Sequence, residues 1–271
     1  MAKPSAIKPL SQDAKIFHLI YGFPNSGKTS YIAAAAAEGK KILLIKSPLD
    51  HIPARALSSG MEQWVVQTWD DMDEVLQYGR HDGGDWDWFA WDSISLTQDQ
   101  TLQAIWDDLI IAKPHRAKYR VDKGEYGVNM WRIEQWVRHM VGAQSVNLLI
   151  SAHPFETQNP FNEQGGMIYM PWVQGNQMAE KICAEMTFIG YLEAKEGKNG
   201  RFRRLHTQLT EYVYAKDQYD AFPEGRVDNP TLLTVEEAIN AAKKGPKAKR
   251  GATRGQRRGA GRAQPAGRRS R

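Results

Sequence analysis

The chain has 271 residues, a single cysteine and 25% charged residues, enough for one large α/β domain and incompatible with a disulfide framework or a multi-cysteine zinc site. No apolar run reaches the length of a bilayer span, and residues 1–14 form a polar leader with Pro4 and Pro9 rather than a signal peptide, so a cytoplasmic chain with no membrane partner is expected. The net charge of +5 divides unevenly: residues 243–271 hold twelve Lys and Arg and no acid, against 24 basic and 31 acidic residues elsewhere, which predicts a disordered, polyanion-binding tail at 243–271 behind an acidic core at 15–242.

In chain order, the first informative stretch is an apolar run at 16–21 followed by Gly22, Phe23, Pro24, Asn25, Ser26, Gly27, Lys28 and Thr29. This is a complete P-loop, and it opens through Ser30 into Tyr31, Ile32 and five alanines, giving strand, phosphate loop and helix. The two glycines permit backbone conformations and close approach that a Cβ would block, so successive N–H groups can face phosphate oxygens beside the positive end of the helix. Lys28 is expected to reach the β- and γ-phosphates of ATP and Thr29 to sit on Mg²⁺, with residues 22–30 as the nucleotide-binding segment.

Gly39 is placed to stop that helix, and 41–46 reads as a buried parallel strand ending in Ser47, Pro48, Leu49 and Asp50. A strand at 64–68 is expected next. A helix over 70–78 follows, capped by Asp70 or Asp71, turning Met72, Val75 and Leu76 inward and closed by Gly79. Trp88, Phe89, Ala90 and Trp91 then lead into Asp92, the Walker B arrangement in which a carboxylate at a strand end holds Mg²⁺ through its water shell. Ser93 stands where AAA+ proteins usually carry a second acid, which speaks against that class.

An amphipathic helix is expected over 98–112. Residues 113–124 form a basic loop around Tyr119, a composition that suits single-stranded nucleic acid and solvent alike. A helix over 130–141 carries Trp131 and Trp136, read as packing residues. The buried strand at 146–153 should deliver Ser151 and His153 to the crevice that holds Gly22, Lys28 and Asp92, making His153 a candidate γ-phosphate sensor. Residues 154–178 read as a long functional loop. Strands at 185–194 and 201–209 pair as an edge hairpin around a charged turn, and 212–218 continues the β region. A helix over 234–242, capped by Thr234, with Val235, Ala238 and Ile239 inward, closes the core.

As a set these stations resemble the phage-encoded RecA/RadA-like ATPases of the single-strand annealing protein family, over about residues 15–240. The matching segments are the P-loop, Trp91-Asp92-Ser93-Ile94-Ser95, Gly124-Glu125-Tyr126-Gly127, the strand ending in Ser151-Ala152-His153-Pro154, and Tyr214-Ala215-Lys216-Asp217-Gln218. The resemblance implies an α/β, RecA-like P-loop NTPase core: a mostly parallel sheet flanked by helices, with a C-terminal antiparallel edge hairpin and the sensor strand between the P-loop and Walker B strands. It also implies ATP and Mg²⁺, a homo-oligomer on single-stranded DNA, DNA-contacting loops at 113–129 and 154–178, a companion single-strand DNA-binding protein, and a host cytoplasm as the setting. Lys216 would reach the γ-phosphate of a neighbouring subunit, while Gln218 replaces a family arginine. The family's catalytic carboxylate has its nearest counterpart in Asp50. Loss of a transition-state cation implies slow hydrolysis, a switch rather than a motor. The alternatives are a P-loop nucleotide or small-molecule kinase, and an ATP-gated nucleic-acid packaging or scaffold protein.

Overall fold

Three of the apolar runs carry no polar face: Phe17–Tyr21, Ile42–Lys46 and Trp88–Trp91 are buried along their whole length. Such strands are satisfied only inside a sheet covered on both sides. The computed structural model describes residues 13–81, 83–115, 121–161, 165–175, 177–198 and 200–245. Most of the leader, positions 116–120 of the basic loop and the tail beyond 245 lie outside them.

The chain runs β1 (Phe17–Tyr21), α1 (Lys28–Ala37), β2 (Ile42–Lys46), α2 (Ala54–Leu57), β3 (Glu62–Val65), α3 (Trp69–His81), β4 (Trp88–Trp91), α4 (Ile94–Ala112) and α5 (Lys123–Ala143). It continues through β5 (Asn147–Ala152), β6 (Pro154–Gln158), β7 (Met167–Pro171), α6 (Met178–Glu185), β8 (Phe188–Gly197), β9 (Gly200–His206), β10 (Lys216–Asp217), β11 (Arg226–Asp228) and α7 (Leu232–Lys243). The main sheet has the order β11-β9-β8-β1-β5-β4-β2-β3, with β10 also paired to β8. The six strands from β3 to β8 are parallel, and β9, β10 and β11 add antiparallel edges. The sheet is therefore the α/β, mostly parallel arrangement expected, with β5 between the P-loop strand β1 and the Asp92 strand β4.

Strand alternation divides the core. Leu19, Ile45, Phe89 and Trp91 face Met72, Trp136, Val137 and Met140 of α3 and α5. Ile20, Leu44, Ala90 and Leu149 face Ile32 of α1 and Val235 and Ile239 of α7. Among the described residues no helix is long and apolar enough to cross a membrane.

Several expected boundaries shift for physical reasons. Helix α3 runs through Gly79, which is packed between Met140 and Phe89 instead of ending the helix. Its N-terminus is closed by Thr68 and Asp71 bonding each other's N–H groups. Helix α4 starts four residues early because Ser93 caps it, accepting the Leu96 N–H. A capping box between Asp122 and Glu125 starts α5 at Lys123, so Gly124, Tyr126 and Gly127 are helical and the proposed loop 113–129 ends at 122. Trp136 is packed as expected, whereas Trp131 is 61% exposed. The segment 154–178 is an antiparallel hairpin, β6–β7, followed by the start of α6. Strand β3 lies two residues ahead of the expected 64–68, the 212–218 stretch forms a single parallel bridge from Val213 to Tyr169 of β7 and then the short β10, and Thr231, with Thr234 as its partner, caps α7.

His18 on β1 is completely buried, its Nε2 3.1 Å from the Tyr31 hydroxyl and its Nδ1 3.4 Å from the Phe188 carbonyl. Burial lowers its pKa to about 3, so the folded chain binds the proton less readily than the unfolded one. The stability this group contributes is present above pH 6.5 and is lost as the pH falls from there towards 3. Urea unfolding at pH 7 and pH 5 should differ by about 2 kcal/mol from this residue alone, seen as the part of the difference that disappears in His18→Phe.

Candidate functional site

The strand ends of β1, β2, β4 and β5 meet at one edge of the sheet, where a cleft of about 580 Å³ opens beside the P-loop. Gly22 leaves β1 with its N–H bonded to the Ala152 carbonyl and lies so close to the Leu192 carbonyl that a Cβ has no room. Asn25 and Gly27 take positive φ, 65° and 99°, which turns the loop back into α1. The N–H groups of Asn25, Gly27, Lys28, Thr29 and Ser30 have no acceptor among the described residues. They form a concave row of donors at a helix N-terminus, a geometry that receives anions. The Lys28 ammonium meanwhile donates to the Gly22 carbonyl at 2.7 Å and more weakly to that of Phe23 at 3.3 Å. Burial lowers its pKa, opposed by the nearby Asp92 and Asp50.

Asp92 emerges from β4 directly opposite. Its Oδ2 accepts the Thr29 hydroxyl at 2.6 Å and its Oδ1 accepts the Ser151 hydroxyl from the end of β5. Asp50 lies in the same cleft, although its sequence position matches the family carboxylate poorly. It accepts the N–H groups of Ser47 and Ser93 at 3.1 and 3.2 Å and the Ser93 hydroxyl at 3.3 Å. Burial, with repulsion from Asp92, pushes its pKa up to about 7 despite those bonds. His153 also lines the cleft. Its N–H donates to Ser95 Oγ, its carbonyl accepts the Trp172 N–H and its ring stacks near Trp172. Burial and then the Lys28 charge hold its pKa below the ordinary value.

The structure thus brings together Lys28, Thr29, Asp50, Asp92 and His153 with Pro24, Asn25, Gly27 and Ser30. Phe23 is half-exposed, edge-on to Tyr169, and the buried Ser26 hydroxyl has no hydrogen-bond partner among the described residues. Lys216 is not in this cleft. Its ammonium donates to the carbonyls of Met186 and Cys183 at the end of α6, while Asp217 accepts the N–H groups of Tyr219 and Phe222. Within one chain this segment fastens β10 to α6.

Three cations in the cleft went unread in the sequence. Lys46 ends β2, and Arg201 and Arg203 come from β9. The available signal was the two-residue alternation of Arg201, Arg203 and Leu205, which places both guanidinium groups on the α1 side of the sheet.

A family model described as AAA domain matches residues 14–219. No curated protein matches the sequence. Among solved structures, the RadB recombinase is similar at 12% identity and a TM-score of 0.46, covering 79% of this chain and 87% of that one. A KaiC-like protein from Pyrococcus horikoshii OT3 is similar at 12% identity and a TM-score of 0.41, covering 80% of this chain and 91% of that one.

The tight seat of Gly22 yields a direct check. Gly22→Ala must push the Leu192 carbonyl away, and should lower the free energy of urea unfolding by about 1–3 kcal/mol, with loss of binding to a fluorescent ATP analogue.

Proposed function

The chain belongs to the AAA domain family, a P-loop NTPase family, and from that premise we propose that it is an ATP-binding, slowly hydrolysing RecA-like protein that acts on single-stranded DNA in annealing and homologous recombination. Ser93 in place of a second acid does not keep the chain out of a family that carries the AAA name. The observation that carries the nucleotide half of this reading is the row of five N–H groups without an acceptor among the described residues, on the loop that also carries the Lys28 ammonium and the Thr29–Asp92 pair.

Thr29 and Asp92 suit magnesium, which takes oxygen ligands, is held by one or two carboxylates and fills its remaining positions with phosphate and water. When bound, the ion neutralises charge developing on the phosphate oxygens. The chain's own residues then have distinct roles. Lys28 turns from the Gly22 carbonyl to phosphate, Ser151 holds Asp92 in orientation, and Asp50, still a proton acceptor near neutral pH, takes the proton of the attacking water. His153, kept neutral by burial, lines the cleft where it would sense the γ-phosphate, and is tied through Ser95 to the Trp172 carbonyl after β7. Hydrolysis is slow because Gln218 brings no charge and Lys216 is occupied by the α6 carbonyls.

For the DNA half, support comes from α5. Trp131 and Tyr126 are exposed at its start, next to a groove of about 680 Å³ lined by Gly127, Met130 and Lys181. Exposed rings stack on bases without reading sequence, while Lys181 in the groove is paired with Glu134 at 2.9 Å. The DNA-contacting segments are accordingly 113–122 with the first turns of α5, the β6–β7 hairpin, and the basic tail, acting in a homo-oligomer alongside a single-strand DNA-binding protein.

ATP turnover should rise on addition of single-stranded DNA and fall to background in Lys28→Ala. Turnover indifferent to DNA would remove the recombination reading and favour a scaffold. Trp131→Ala should weaken single-stranded DNA binding by about 1–3 kcal/mol in a fluorescence anisotropy titration. Deleting 246–271 should flatten the salt dependence of that binding by roughly 0.7 log units for each phosphate that the tail neutralises.

A further inference from the structure

The cleft that holds Lys28 and Asp92 contains more positive charge than the P-loop motif accounts for. Lys46 is only 7% exposed and lines the cleft, and its ammonium makes no hydrogen bond or ion pair among the described residues. It sits on the strand next to β4, one position beyond Ile45, whose carbonyl accepts the Asp92 N–H. A cation that faces a cleft without an acidic partner is matched to an anion that enters it.

On the opposite side, the Arg203 guanidinium lies over Gly27 and donates through Nε to the Ser26 carbonyl at 3.1 Å. The remaining donors of its planar fork have no acceptor among the described residues. Burial and the neighbouring Arg55 and Arg201 lower its pKa, and Arg201 lines the same cleft. Arg201 faces Glu196 across the β8–β9 ladder without forming an ion pair with it. The contrast with the next residue is direct. Arg204, on the other face of β9, is fully engaged with Asp228 through two bonds of 2.7 and 2.9 Å.

We propose that Lys46 and Arg203 bind the phosphate chain of the nucleoside triphosphate from within the same subunit, so that a single chain holds the nucleotide without a cation from a neighbour. This rests on the nucleotide reading above. It separates binding, which the chain completes alone, from turnover, which remains slow for want of a charge at Gln218. Arg203 offers its free fork to phosphate oxygens as guanidinium groups do, and Lys46 acts as a point charge on the side of Asp92.

The test is ATP binding by the full chain, diluted to where it is a monomer by light scattering, and measured by displacement of a fluorescent ATP analogue in wild type, Lys46→Met, Arg203→Ala and Arg204→Ala. Thermal unfolding without nucleotide checks that each variant is folded. Lys46→Met and Arg203→Ala should each raise the Kd for ATP by about tenfold or more, while Arg204→Ala leaves it unchanged. Each effective variant should also flatten the dependence of ATP affinity on salt, because one fewer cation faces the phosphates. A weaker Kd with an unchanged salt slope would assign Arg203 to holding the Ser26 carbonyl and overturn the proposal. Wild-type binding with both variants unchanged would overturn it while leaving the nucleotide reading intact. A wild-type chain that bound no ATP at all would end both.

Discussion

The cleft depends on one carboxylate clamped by two hydroxyls. Asp92 is almost fully buried, and a buried carboxylate left unpaired would destabilise the fold by several kcal/mol. Thr29 satisfies one oxygen from the first turn of α1 and Ser151 the other from the end of β5. These contacts join three elements that are far apart in sequence and adjacent in the sheet. The P-loop cannot drift from β4 without stranding Asp92. That is why the row of N–H groups without acceptors among the described residues stays beside the carboxylate.

A second layer ties this clamp to the opposite side of the sheet. Ser93 follows Asp92, caps α4 and is itself held by Asp50, so the start of α4 is positioned by the cleft. Two residues further on, Ser95 bonds both the His153 N–H and the Trp172 carbonyl, and Gln98 accepts the Gln174 N–H. The Asn129 side chain bonds the Gln98 carbonyl and receives Trp69 and Thr101. An unbroken series of short polar contacts thus runs from the carboxylates of the cleft to the strap that follows the β6–β7 hairpin and on to α5. Displacing α4 at its cap would break several buried hydrogen bonds together, so these parts move as a unit if they move at all.

What the sequence disclosed follows from how locally each feature is encoded. The P-loop is legible because its glycines, its ammonium and its hydroxyl lie within eight consecutive positions. Asp92 and Ser151 are legible because buried parallel strands are unbroken apolar runs and their ends converge. Helix boundaries were misplaced where the stop lies in a reciprocal pair rather than a single residue, as with Thr68 and Asp71, Asp122 and Glu125, or Thr231 and Thr234. Gly79 misled because a helical glycine can serve close packing against Met140 and Phe89 as well as termination. The β6–β7 hairpin escaped because it is only half-buried, resting on a small cluster of Ile168, Met170 and Ala179. Its polar, glycine-containing sequence therefore lacks clear alternation. Trp131 was misjudged because an amphipathic pattern assigns a tryptophan to the core by default, whereas α5 turns this one to solvent.

The cations from β9 were missed for a topological reason. In a parallel sheet every strand presents its C-terminal end at the same edge, so a search for site residues goes to strand ends. An antiparallel strand reverses that rule. Strand β9 begins where β8 finishes, and β8 runs beyond the level at which β1 gives way to the P-loop. The first residues of β9 therefore hang over the loop, with Arg203 opposite Ala194 and Arg201 opposite Glu196. The two-residue period then sends Arg201 and Arg203 to the α1 side and Arg204 to Asp228 on the other. The edge hairpin, which on sequence grounds only finishes the sheet, thereby places its first residues against the phosphate loop. A body with more acidic than basic residues in this way concentrates positive charge at the one place where its geometry receives an anion.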